Sequence, residues 1–230
     1  MVTPEASGGA IALAFTGASG ALYGLRLLEQ LIRARRPVYL MVSAPARIVL
    51  AMEADLKLPS RPGDAARHLG GLYGATPGQL RAFGQQDWMA PVASGSAPPA
   101  AMVVCPCTTG TLAAIAHGGS DNLIERAADV TLKEGRKLIL VPRETPYSVI
   151  HLENMLRLAR LGAVILPPNP GFYHRPETIA DLVDFVVGRV LDHLGVAHNL
   201  VMPWGRSNDD PIERDPPGTT TEPASSYEEK

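Results

Sequence analysis

The stretch IALAFTGASGALYGLRLLEQLIR, residues 11–33, decides the fold. Its opening run, Ile11–Thr16, is continuously apolar up to its last residue, the pattern of a strand covered on both faces. Gly17–Gly20 then supplies a turn. From Ala21 to Arg33, Leu22, Leu25, Leu28 and Leu31/Ile32 recur on one helical stripe. Strand, glycine loop and amphipathic helix follow within 23 residues. The theme repeats downstream. Short apolar runs at Val38–Ser43, Ala101–Cys105, Leu138–Val141 and Ala163–Leu166 alternate with periodic segments at Pro45–Met52, Thr111–Ala116, Asn122–Lys133, Val149–Leu161 and Pro176–Leu194. This alternation predicts an α/β fold: a doubly wound parallel sheet between two helical layers. Pro176 is expected in the first turn of the last helix, where its missing N–H does no harm. Residues 55–100 read as irregular, with Leu80–Phe83 a candidate extra strand.

Composition agrees with one folded domain. The chain has 230 residues, 46% of them hydrophobic and 19% charged, which excludes wholesale disorder. The net charge of −2 argues against nucleic acid as the main partner, since phosphate-backbone binding draws on a basic excess. The apolar run Ala10–Phe15 is too short to cross a membrane, and residues 1–9 lack the basic start of a targeting signal. The two cysteines, Cys105 and Cys107, are one residue apart, a spacing that suits neither a disulfide nor a zinc pair. They read as buried small hydrophobes in a cytoplasmic protein. His151-Leu152-Glu153 sets its two polar side chains on different helix faces, so no metal site is expected there. Residues 203–230 hold seven acids, three bases and five prolines and read as a flexible acidic tail. Residues 1–9 read as a disordered start, leaving 10–202 as the folded domain.

In such sheets, ligands bind at the carboxyl ends of the strands, where strand order reverses. The first such loop is Thr16-Gly17-Ala18-Ser19-Gly20. It matches neither the dinucleotide GxGxxG, nor a Walker loop, nor the GxSxG elbow. A monophosphate nucleotide such as FMN fits it better than NAD; a plain strand-to-helix turn is the competing reading. Cys105-Pro106-Cys107-Thr108-Thr109-Gly110-Thr111 offers three hydroxyls and a glycine ahead of another helix. Here anion binding competes with ordinary N-capping. Arg126, Lys133, Arg143, Glu144 and Arg189 are charged residues in or beside apolar segments. Each alone reads as a surface ion pair or a snorkelling side chain. As a group they suit a second phosphate, with Glu144 as a proton donor or acceptor. Tyr173 sits in the stiff loop Pro167-Pro168-Asn169-Pro170-Gly171-Phe172-Tyr173.

Taken together, TGASGALYGLRLLEQL (16–31), GQQDWMAPVASGS (84–96), VVCPCTTGTLAAIAHG (103–118), DNLIERAADVTLKEGRKLILVPRETPYSVIHLENML (121–156) and GAVILPPNPGFYHRP (162–176) resemble the flavin prenyltransferases, the UbiX-like proteins once described as aromatic-acid decarboxylases. The resemblance spans about residues 10–202. It implies a flavodoxin-like, Rossmann-like sandwich that binds FMN. It implies transfer of a dimethylallyl group from dimethylallyl monophosphate to N5 and C6 of reduced FMN, with no metal ion. It also implies a homododecamer with sites at subunit contacts, and a partner decarboxylase that uses the prenylated flavin in ubiquinone or aromatic-acid metabolism. Position by position, Gly17, Ala18, Ser19, Ser43, Thr108, Thr109, Gly110, Thr111 and Arg143 match flavin-contacting positions. Arg126, Lys133, Glu144, Tyr173 and Arg189 match the prenyl-phosphate site. Trp88, with Ala93 and Ser94 near it, matches an aromatic wall over the allyl group. Ser19, Glu53 and Glu144 match positions associated with proton transfer. Two departures are visible: Thr108 where Ser is common, which keeps the hydroxyl, and Gly135 where Arg is common.

Two rivals remain in view. An FMN-dependent cysteine decarboxylase of similar fold would show a Pro-x-Met-Asn-type substrate loop, which this chain lacks. A flavodoxin-type electron carrier has no use for a cluster of Lys, Arg and Glu around an apolar pocket.

Overall fold

The structure is a computed structural model and describes residues 9–202. The expectations for residues 1–8 and for the acidic tail lie outside the described residues.

Six parallel strands form one sheet: β1 (Ile11–Phe15), β2 (Val38–Val42), β3 (Leu80–Phe83), β4 (Ala101–Cys107), β5 (Lys137–Pro142) and β6 (Val164–Ile165). Their order is β3-β2-β1-β4-β5-β6. Without the edge strand β3 this is the flavodoxin order, and strand order reverses between β1 and β4. The ligand crevice of such a sheet therefore opens above the carboxyl ends of these two strands.

The helices are α1 (Ala21–Arg33), α2 (Ala44–Ala54), α3 (Pro62–Tyr73), α4 (Thr109–Ala116), α5 (Leu123–Lys133), α6 (Val149–Arg160) and α7 (Ile179–Leu194). Alternation along the strands assigns them to layers. Ile11, Leu13 and Phe15 of β1 pack with Leu28 and Leu31 of α1, Leu50 of α2, Leu69 of α3 and Val187 of α7. Ala12 and Ala14 face the other way, with Leu112 of α4, Ala127 of α5 and Leu158 of α6. Thus α5 and α7 lie on opposite faces of the sheet. Arg26 ties α1 to α7 by a bidentate pair with Asp184, Nε to Oδ1 at 2.7 Å and Nη2 to Oδ2 at 2.9 Å.

Two expectations are corrected. Residues 55–100 contain the helix α3, whose buried stripe is only Ala65, Ala66 and Leu69. Small residues and three glycines, Gly63, Gly70 and Gly71, blur the apolar period there. The last helix begins at Ile179, beyond Pro176, because Thr178 and Asp181 form a capping box that stops the helix from extending backwards. The candidate strand Leu80–Phe83 is present as β3. Both cysteines are free and fully buried, and burial pushes the Cys107 thiol up to about 12. His151 closes a capping box with Ser148, which gives it a structural task.

Candidate functional site

The β1–α1 loop is shaped by two glycines. A Cβ at Gly17 would fall 2.4 Å from Pro45 Cβ, so the loop lies flat on the start of α2. Gly20, at φ 111, turns the chain into α1 without a side-chain cap of its own. The cap comes from elsewhere: Glu53 Oε2 accepts the N–H groups of Gly20 and Ala21, both at 2.8 Å. Ser19 also hydrogen-bonds this carboxylate. Burial alone would raise the Glu53 carboxyl, but the bonds from Ser19, Gly20 and Ala21, with the charge of Arg143, hold it below its ordinary value. Ser19, Glu53 and Arg143 are thus brought together at the end of β1.

The neighbouring loop follows β4. Thr108 is the N-cap of α4; its Oγ1 accepts from Thr111 N–H at 3.1 Å and donates to Thr111 Oγ1 at 2.9 Å. A Cβ at Gly110 would meet nothing nearer than Thr108 Oγ1 at 4.0 Å, so the start of α4 is open to approach. Backbone donors, hydroxyls and an open face suit the phosphate and ribityl chain of FMN. The α1 terminus, closed by a carboxylate, does not suit a phosphate. Ser43 caps α2 by accepting Ala46 N–H at 3.1 Å and lies buried at the end of β2. Arg143 follows β5, held through its own N–H to the Cys107 carbonyl at 3.2 Å. Glu144 comes next and accepts Thr145 N–H at 3.1 Å.

A second group lies on the α5 face. Arg126 Nε donates to the Ala93 carbonyl at 3.0 Å, and its Nη1 pairs with Asp129 at 2.7 Å. Lys133 Nζ pairs with Glu134 at 2.5 Å, and a Cβ built at Gly95 would stand 2.8 Å from that Nζ. Arg126, Lys133 and the segment with Ala93 and Ser94 are therefore neighbours. Trp88, on the same segment, is 45% exposed.

A third group belongs to α7 and the loop before it. The Tyr173 ring meets Phe185 edge-on at 5.7 Å, and Arg189 pairs with Asp192 at 2.6 Å. Within one chain these do not join Arg126 and Lys133, because α5 and α7 cover opposite faces. Lys133 also ends α5, just before β5 begins, whereas Arg143 and Glu144 follow the far end of that strand. Among the described residues, no group of three or more His, Cys, Asp or Glu is arranged to hold a metal ion. No helix among them is long and apolar enough to cross a membrane.

Two polar residues escaped the sequence-based site. Thr16 is buried at the tip of β1, and its signal was a hydroxyl closing an apolar run. Tyr147 donates to the Pro142 carbonyl at 3.3 Å, and burial, then the nearby Glu144 charge, raises its phenol; nothing in its sequence context marked it.

The chain is similar to known proteins over most of its length. The family model described as Flavoprotein matches residues 3–191. Flavin prenyltransferase UbiX of Pseudomonas aeruginosa is 58% identical over 198 residues, covering 86% of this chain and 95% of that protein. The protein of the same name in Alkalihalophilus pseudofirmus is 50% identical over 190 residues, covering 83% and 93%. A crystal structure of AnUbiX (PadA1) in complex with FMN and dimethylallyl pyrophosphate superimposes with a TM-score of 0.76 at 40% identity, covering 86% of this chain and 98% of that one. A dodecameric FMN-dependent UbiX-like decarboxylase from Escherichia coli O157:H7 gives a TM-score of 0.73 at 41% identity, covering 85% and 98%. The chain belongs to the flavoprotein family and, within it, to the UbiX flavin prenyltransferases.

Proposed function

We propose that the protein is a flavin prenyltransferase that joins a dimethylallyl group from dimethylallyl monophosphate to N5 and C6 of reduced FMN. The observation that carries this most is the Ser19–Glu53 pair beside Arg143, next to the open, hydroxyl-lined start of α4. Thr108, Thr109, Gly110 and Thr111 would hold the flavin phosphate and ribityl chain, with Gly17, Ala18, Ser43 and Arg143 against the rest. Reduced FMN, when bound, supplies the nucleophilic nitrogen and the aromatic carbon that are alkylated.

The chain's own groups account for the remaining demands. Phosphate departure from an allylic carbon builds positive charge on the prenyl group and negative charge on the leaving oxygens. The face of Trp88 stabilises the former without trapping it. Arg126, Lys133 and Arg189 stabilise the latter, Tyr173 orients it and Glu144 protonates it. With flavin bound, the N5 proton displaced in the first alkylation would balance the one taken up by the departing phosphate, and ring closure would be proton-neutral, C6 giving up a proton as the prenyl double bond gains one. Glu53, held below its ordinary value, is ionised at neutral pH and would accept the C6 proton through the Ser19 hydroxyl.

The site is shared between copies of the chain. Val149, Ile150, Leu152 and Leu156 of α6 are exposed, an apolar face suited to burial against another chain, and Ile48 and Met52 of α2 are exposed on the other side of the sheet. The opposite-face placement of α5 and α7 supports the same conclusion: a neighbouring copy would bring the groups of these two helices to one pocket. A dodecamer is the assembly we favour. The product serves a partner decarboxylase, and the two buried free thiols suit a reducing, cytoplasmic setting.

The test is phosphate release from dimethylallyl monophosphate under anaerobic conditions. Release that requires reduced FMN is the expected result. Release at the same rate without flavin, or none with it, contradicts the proposal.

A further inference from the structure

Thr16 is 3% exposed at the tip of β1. Its hydroxyl spans the crevice between β1 and β4 and uses both its donor and its acceptor capacity there. Oγ1 donates to the Pro106 carbonyl at 2.8 Å and accepts the Thr108 N–H at 2.8 Å. The Thr16 N–H donates to the same Pro106 carbonyl at 3.2 Å. The bridge crosses the point of strand-order reversal, where the two loops proposed to hold FMN must keep a fixed spacing.

The bridge does not stop at Thr108. That residue caps α4, and its own Oγ1 accepts Thr111 N–H and donates to Thr111 Oγ1. One chain of hydrogen bonds thus runs from β1 through Thr16 and Thr108 to the hydroxyl of Thr111. Rotating or shifting Thr108 would break the cap and turn both hydroxyls. Without Oγ1 at position 16, the Thr108 N–H, part-buried in the crevice, would also lack its acceptor, which weakens the hold on the cap.

We infer that Thr16 is a positioning residue: it sets the hydroxyl cradle at the start of α4 and, through that cradle, the affinity for FMN. The inference rests on the proposal that Thr108–Thr111 hold the flavin phosphate. Its consequence is specific. Thr16 governs uptake of the flavin and leaves handling of the prenyl phosphate to other residues.

The full-length protein, titrated with FMN and followed by flavin fluorescence, provides the test. Thr16→Val keeps the shape and removes both hydroxyl bonds; FMN affinity is expected to fall about tenfold or more. With FMN saturating, the KM for dimethylallyl monophosphate stays within about twofold of wild type. Thr16→Ser restores the hydroxyl and should recover FMN affinity to within about threefold. A general loss of stability is separated by Thr131→Val. Thr131 is fully buried on α5 and donates to the Ala127 carbonyl at 2.6 Å, away from the crevice. That variant should lower the unfolding midpoint without changing FMN affinity. Unchanged FMN affinity in Thr16→Val, failure of Thr16→Ser to restore a loss, or an equal loss in Thr131→Val overturns the inference. Wild-type protein that takes up no FMN overturns the proposed flavin site and this inference together; wild-type uptake matched by Thr16→Val overturns this inference alone.

Discussion

The carboxylate of Glu53 accepts the Gly20 N–H at 2.8 Å across 33 residues of sequence. The end of α2 thereby caps the start of α1, and a negative charge sits where the helix dipole favours one. The charge that closes this terminus to phosphate is also the base that the proposed proton transfer needs.

Replacing Glu53 by Gln should therefore act on stability and turnover separately. Glu53 is exposed, so water screens its charge, and the loss of folding stability should be small, about 0.3–1 kcal/mol. The pH dependence has a defined sign. The ordinary carboxyl value is 4.5 and the folded one is lower, so the unfolded chain binds the proton more readily. The stabilisation is complete above the unfolded value and is lost as pH falls through the folded one. Chemical denaturation between about pH 3 and pH 7 should show a shallower acid loss in Glu53→Gln than in wild type. Equal slopes would mean that the carboxylate is not held in the state described.

Glu144→Gln and Tyr173→Phe should slow phosphate release by about 10²-fold while FMN still binds, since the account gives both residues to the leaving group. Flavin fluorescence titration beside single-turnover kinetics separates the two effects. Loss of FMN binding in both variants would place these residues in the wrong pocket.

Arg126→Ala and Lys133→Ala should raise the KM for dimethylallyl monophosphate about tenfold or more, as expected for lost phosphate contacts. Arg126→Lys should restore little, because the guanidinium also reaches the Ala93 carbonyl. Steady-state kinetics at saturating FMN decide this. An unchanged KM in both alanine variants would remove the α5 face from the site.

Much of this architecture was legible in the residues themselves. Ile11–Phe15 is an unbroken apolar run and Ala21–Arg33 carries a strong helical stripe, and the structure follows both closely. The helix Pro62–Tyr73 was hidden because it buries two alanines and one leucine, too weak a stripe to stand out from its glycines. Ser19 and the Thr108–Thr111 loop were legible because strand ends announce themselves. The Glu53 cap was not derivable from spacing, since its partners lie on another element and only folding joins them. Thr16 heads the first candidate loop, yet the sequence marks no role for it: a hydroxyl ending an apolar run looks like any other strand terminus until Pro106 and Thr108 are seen beside it.

Leu152→Glu places a charge on the exposed apolar face of α6, where Leu152 is 52% exposed and makes little contribution to the chain's own core. The monomer fold should survive with a change within about 0.5 kcal/mol, typical of a surface substitution. Light scattering should report smaller assemblies, and prenyl transfer should fall in step with them. Full activity in a dissociated species would show that one chain holds a complete site.

The mass of the flavin after anaerobic incubation of the protein with reduced FMN and dimethylallyl monophosphate decides whether the prenyl group is transferred. Prenyl transfer requires a product heavier than FMN by one five-carbon prenyl unit, formed in proportion to phosphate released. Flavin recovered at its original mass while the prenyl phosphate is consumed would contradict it.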